Sequence, residues 1–263
     1  MLAAVIRYAP AWVRYVLTLS EIARVSEGWV LASGSDIAII DADGTSAMPL
    51  WMSRELAEGA SADDEESDAA ATAPEPLAIS VAELEEKTLP SLAENGISVS
   101  VFPGPGTNRL IGAMGVARDL RTFVDDPRDV AGELLVEPRL IQPEGWANLE
   151  IPDPKNDDSD TDAAFWLLAA ENSESVIGLV ADEQPSVALF VSRQIAEAFA
   201  DEAGVPATPL AARTESLVDH WLLMAFTAGW DAVIVTGDGE FGAVKPVRLA
   251  LDLLEVAARA EAN

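Results

Sequence analysis

Apolar positions recur along the chain with two periods, helical and alternating, and their succession predicts two halves built to one plan. In AWVRYVLTLSEIARV, Trp12, Tyr15, Val16, Leu19, Ile22 and Ala23 fall on one stripe at helical spacing, with Pro10 at the helix start. Short apolar runs at 28–33, 36–41 and 46–51 read as strands, the last two joined by a hairpin turn at Asp43-Gly44. Helical patterns follow at 53–60 and 81–94. The second is opened by a capping box, Ser80 with Glu83, and stopped by Asn95-Gly96. A strand at 97–102 and a helix at 114–124 complete the first half. The second half reads as a helix at 162–173, strands at 176–181 and 186–191, helices at 192–203 and 214–228, a strand at 230–236 and a helix at 246–260.

The two halves also share residues. SRELAEGA at 53–60 resembles SRQIAEAF at 192–199, and each follows a short apolar strand. Residues 89–123 align without a gap on 222–256, setting Gly96 against Gly229, Gly104 against Gly237, Gly106 against Gly239, Asp119 against Asp252 and Leu120 against Leu253. Two acidic stretches, SADDEESDAAATAPEP at 61–76 and PDPKNDDSDTD at 152–162, interrupt the pattern as solvated loops. The expected fold is therefore α+β: two tandem, internally duplicated domains, each a small mixed or antiparallel sheet with helices packed on it. The first repeat is expected over 1–130 with its acidic loop at 61–76, a linker over 131–161, and the second repeat over 162–263.

Gly28 and Trp29 open the first strand, Pro49, Leu50 and Trp51 lead into a helix containing Ala57, and a later strand ends in Phe102 and Pro103. On these residues the first half resembles a bacterial family known as domain of unknown function 2750, although Met52 and Ser53 depart from its pattern. Leu189, Phe190 and Ser192 make the second half similar in layout to the N-terminal domain of the enhanced-serine-sensitivity (SseB) family. Neither resemblance implies a catalytic residue.

Charge alters the picture more than length does. Forty-five acidic residues against 16 Lys plus Arg give a net charge of −29, a surface that repels nucleic acid and anionic lipid. With only three lysines, Lys87, Lys155 and Lys245, the balance suits either solubility in a high-salt cytoplasm or a basic partner. No cysteine occurs, which removes disulfides, thiol nucleophiles and Cys-ligated zinc. Arg7 and Arg14 interrupt the apolar N-terminal stretch, so it is expected to be a first helix rather than a signal peptide, and residence is expected to be cytoplasmic.

Candidate chemistry is sparse. AVIVTGDGEFG at 232–242 has the strand, Gly-rich turn and helix of a phosphate loop, but its first-half counterpart, PGPGTN, places Pro103 and Pro105 where backbone donors would be needed. Lys245 meets Gly112 in the alignment and no Walker ending follows, so the stretch reads as a duplicated structural turn. The single histidine, His220, falls opposite Lys87 and reads as a helix-face residue. Asp158, Asp160 and Asp162 alternate as in a calcium loop, yet Ala163 and Ala169 stand where the essential Gly and Glu belong. No catalytic, cofactor-binding or metal-ligating residue is therefore expected, and no cofactor. Trp29, Trp51, Phe102 and Trp230 are the candidate interaction residues, on the reading that some of the seven tryptophans serve a partner rather than the core. The functional expectation is a non-catalytic, cytoplasmic protein-binding or regulatory protein of the acidic immunity or inhibitor type, with a protein partner of basic charge. The alternative is a small-ligand-binding or carboxylate-dependent hydrolytic protein with its site between the repeats.

Overall fold

The computed structural model describes residues 6–34, 36–42, 44–63, 74–103, 108–125, 139–140, 143–150, 163–170, 175–181, 183–237 and 241–261. The chain divides into two compact units, Met1–Asp129 and Val130–Asn263. Both are α+β, and each has a mixed sheet.

Unit 1 opens with α1 (Ala11–Val25), whose buried residues include Trp12, Val13, Tyr15, Val16, Leu19 and Ile22, as the helical stripe requires. Strands β1 (Glu27–Ser33), β2 (Asp36–Ile37), β3 (Ile40–Ala42) and β4 (Thr45–Leu50) follow. The expected Asp43-Gly44 turn joins β3 to β4: Gly44 has φ 79° and its N–H donates to Asp41 Oδ1 at 2.7 Å. Asp43 itself lies outside the described residues. Then come α2 (Arg54–Asp63), β5 (Glu75–Ser80), the helix α3, β6 (Ser98–Val101), β7 (Leu110–Gly112) and α4 (Ala113–Asp125). Helix α3 runs through Val81–Glu83, a π-turn at Leu84–Thr88 and Leu89–Glu94. Ser80 Oγ caps it by accepting from Glu83 N at 3.2 Å, and Gly96 ends it in the left-handed region at φ 67°. The strands pair as β2-β1-β5 and β3-β4-β6-β7, linked by a bridge between Trp29 and Trp51.

Unit 2 repeats this plan pair by pair. Its strands β10 (Phe165–Ala170), β11 (Ser175–Ala181), β12 (Gln184–Phe190), β13 (Ala207–Ala212), β14 (Asp231–Val235) and β15 (Phe241–Val244) pair in the order β13-β10-β11-β12-β14-β15. Parallel β12·β14 matches parallel β4·β6, and the bridge Trp166↔Phe190 matches Trp29↔Trp51. Helices α5 (Arg193–Ala203) and α7 (Pro246–Glu261) stand where unit 1 has α2 and α4. Between β13 and β14 lies α6, Thr214–Ser216, Leu217–Trp221 and Leu222–Ala228, with its own π-turn in the middle segment. Leu217 opens that π-turn as Leu84 opens the first, at the same alignment offset that joins Gly96 to Gly229. The core beneath this sheet gathers Trp166, Leu168, Ile177, Leu179, Phe190, Val233 and Val235, with the rings of Phe190 and Phe199 5.3 Å apart.

Three expectations change. The helix expected at 162–173 is strand β10: the strand is only six residues long, and pairing with β13 on one side and β11 and β12 on the other makes it an interior strand. The expected linker 131–161 contains β8 (Arg139–Leu140), paired with β15, and β9 (Pro143–Glu150), paired with β11. The acidic loop expected at 61–76 is helical through Asp63 and becomes β5 at Glu75; residues 64–73 lie outside the described ones. Strands β5 and β13 carry Pro76 and Pro209 at equivalent register, opposite Leu31 and Leu168. Each sits at the end of its sheet, where a missing N–H costs no ladder bond.

Candidate functional site

The residues carrying the first-half resemblance converge on one end of β4. Gly28 gives close approach: a Cβ there would lie 3.0 Å from Ile22 Cδ1 and 3.2 Å from Leu50 Cδ1. Trp29 and Trp51 exchange backbone hydrogen bonds at 2.9 and 2.8 Å, and Phe102 N donates to Leu50 O at 2.7 Å. Phe102 is held at φ 48°, a left-handed conformation costly for a residue with a Cβ. Its carbonyl accepts from Arg14 Nη1 at 2.8 Å, and the same nitrogen donates to Asn108 Oδ1 at 3.2 Å. Arg14 therefore ties both ends of the segment 102–108 to α1 from a position only 2% exposed. Burial draws its guanidinium pKa below the ordinary value. In the sequence Arg14 reads only as an interruption of an apolar stretch; its place beside Trp12 and Tyr15 of the helical stripe is the available signal.

Next to it, Tyr15 donates to Asp119 Oδ2 at 2.8 Å while Arg109 sits 5.0 Å over its ring. Burial, then the hydrogen bond and charge of Asp119, push the phenol well above its usual range. These contacts fasten α1 to α4.

The same end of β4 opens into a cleft of about 290 Å³. Trp51, Leu56, Phe102 and Pro103 supply apolar wall, Gly59 and Ala60 keep α2 slim along it, and Arg7, Tyr8 and Glu55 add polar groups. Tyr8, 71% exposed, is the outermost aromatic. Helix α2 is positioned by Ser53, whose Oγ accepts from Leu56 N, and by the ion pair Arg54–Glu58. Ser192 and Arg193–Glu197 repeat both features at the start of α5.

Of the candidate interaction residues, Trp51 and Phe102 thus line the cleft, though each is only 2% exposed and offers an edge rather than a free ring. Trp29 is half-buried in β1. Trp230 belongs to unit 2, half-buried, with its ring 2.9 Å from where a Cβ on Gly178 would stand. Tyr8 and Leu56 are not singled out in the sequence, because each joins the cleft only where the residues before α1 and helix α2 come to lie beside Trp51 and Phe102.

Elsewhere, Gly237 packs against Ile195, and Lys245 pairs with Asp231 at 2.8 Å. Residues 104–107 and 238–240 of the paired Gly-rich turns, and the alternating Asp158, Asp160 and Asp162, lie outside the described residues. His220 has a buried Nε2 and stands edge-on to Trp221 at 5.3 Å. Asp219 beside it has its carboxyl pKa raised by partial burial and then by Glu215. Among the described residues, no group of three or more His, Asp or Glu is disposed to hold a metal, and no helix is long and apolar enough to cross a membrane.

No curated protein matches the chain. Residues 15–120 match the model of a family described as a protein of unknown function, DUF2750, and this span runs from α1 into α4 through every strand of unit 1.

Proposed function

We propose that the chain is a cytoplasmic, non-catalytic protein-binding protein of the acidic inhibitor or immunity type, and that the unit 1 cleft receives an apolar side chain of a partner. The observation that carries this reading is the cleft itself. At about 290 Å³ it lies at the small end of ligand pockets, which run to roughly 300–1,000 Å³, and so suits a single anchoring side chain better than a cofactor. Its apolar wall rests on strained and buried backbone, so the cavity is preorganised, and Tyr8 supplies an exposed aromatic beside it. The net charge of −29 supports a basic partner, whose approach it would steer. Among the described lining residues Glu55 is the single carboxylate, so two-acid hydrolysis finds no support in this cleft.

Affinity capture with the full chain, at low and high salt, and with Leu56→Gln in parallel, tests this. A protein retained by the unsubstituted chain at low salt, weakened at high salt and lost with the variant is the expected result. Identical recovery by both chains would overturn the role of the cleft.

A further inference from the structure

Among the described residues, unit 1 has no strand along an edge that unit 2 covers with a strand of its own, and we propose that residues 36–42 dock an extended, basic segment of a partner protein as an added antiparallel strand. The comparison is internal and register-exact in its pairs. In unit 2, β11 pairs along one edge first with β10 and then with β12, through Ala169↔Val176, Leu179↔Ser186 and Ala181↔Gln184. Residues 36–42 make the equivalent pairs, Ala32↔Ile37, Ile40↔Ala47 and Ala42↔Thr45. The other edge of β11 is occupied by β9 from Ser175↔Glu150 to Ala181↔Pro143. Among the described residues no strand occupies that edge of 36–42.

Burial follows the difference. Val176 and Leu179 are 1% exposed, whereas their equivalents Ile37 and Ile40 are half-buried, and Ile39, which stands where unit 2 has Gly178, is 41% exposed. Ala38 directs its N–H inward to Leu31 O at 2.8 Å, so strand alternation turns the backbone groups of Ile37 and Ile39 outward. An apolar edge with unpaired backbone is a template for strand addition, and the β9–β11 ladder shows that this architecture accepts one.

Charge selects the occupant. Asp41 follows the isoleucines and is exposed. A second copy would bring the same net charge of −29, which opposes self-association. Lysine or arginine on an incoming strand would be attracted instead, by Asp41 and by the net charge of −29. No residue of 36–42 lines the cleft, so this surface stands or falls separately from it.

The test titrates the isotopically labelled full chain with a synthetic octapeptide of alternating valine and lysine, and with its valine–glutamate counterpart, while following backbone amide exchange. The lysine peptide should slow exchange at Ile37 and Ile39 by about tenfold at saturation. The glutamate peptide should leave these amides unchanged, and about 0.5 M salt should weaken the lysine effect. Ile39→Pro, which removes an outward N–H, should abolish the protection, and Ile39→Ala should retain it. Failure of the lysine peptide to protect these amides, equal protection by both peptides, or a dimer that protects 36–42 without peptide would each overturn the proposal. Should Ile39→Pro fail to fold, the mapping on the unsubstituted chain decides.

Discussion

Phe102 occupies a backbone conformation that glycine would adopt more cheaply, yet its ring is buried beside the cleft. The conformation persists because both its polar backbone atoms are engaged, N–H with Leu50 O and C=O with Arg14. Replacing Arg14 by methionine keeps the volume and the apolar stem but deprives the Phe102 carbonyl of its charged donor. The loss should lower stability by about 1–3 kcal/mol, read as a shift in denaturant midpoint at constant slope. An unchanged midpoint would mean that the tie is not what holds the turn. Arg14 was not legible as such a residue, because its acceptors lie 88 and 94 positions away in the sequence. The capping serine at Ser80 was legible, because its partner is three residues on.

Elements that end on local chemistry were the readable ones. The starts of α2 and α5 share a serine cap and an Arg–Glu pair one turn in, and the ends of α3 and α6 share a left-handed glycine, Gly96 and Gly229. The ion pairs are exposed and contribute little. The caps contribute more: Ser192→Ala and Ser53→Ala should each cost about 1 kcal/mol. Thermal unfolding of the two single variants checks this. A negligible change at Ser192, whose Oγ accepts from Ile195 N at 3.3 Å, would show that packing alone holds α5. Strand β10 was not readable by such means. FWLLAA satisfies a buried strand and a buried helix alike, and its neighbours β13, β11 and β12 decide between them. Pro76 and Pro209 hid β5 and β13 in the same way, since a proline argues against a strand until the strand is known to be an edge.

For the whole molecule the governing quantity is charge. Ion pairs such as Lys245–Asp231 and Arg248–Asp252 engage part of the small cationic complement, and most carboxylates therefore face like charges. Raising salt from about 0.1 to 1 M shortens the screening length from about 10 to 3 Å and should raise the unfolding temperature by roughly 3–6 °C. A melting temperature indifferent to salt would remove self-repulsion as a determinant of stability. The same screening should weaken any basic partner, so salt is expected to stabilise the fold while loosening its associations.

The duplication, the limits of the capped and glycine-stopped helices such as α3 and the hairpin at Gly44 were determined by the sequence alone, because each is written in residues close together or in residues repeated at a constant offset. Only the tertiary structure decided that β10 is a strand, that Arg14 is buried under the turn at Phe102, and that β9 covers β11 while no strand among the described residues lies along that edge of 36–42. These depend on which distant segments come to lie alongside one another, and neither the period of a short apolar run nor the identity of a single arginine encodes its partner across the fold.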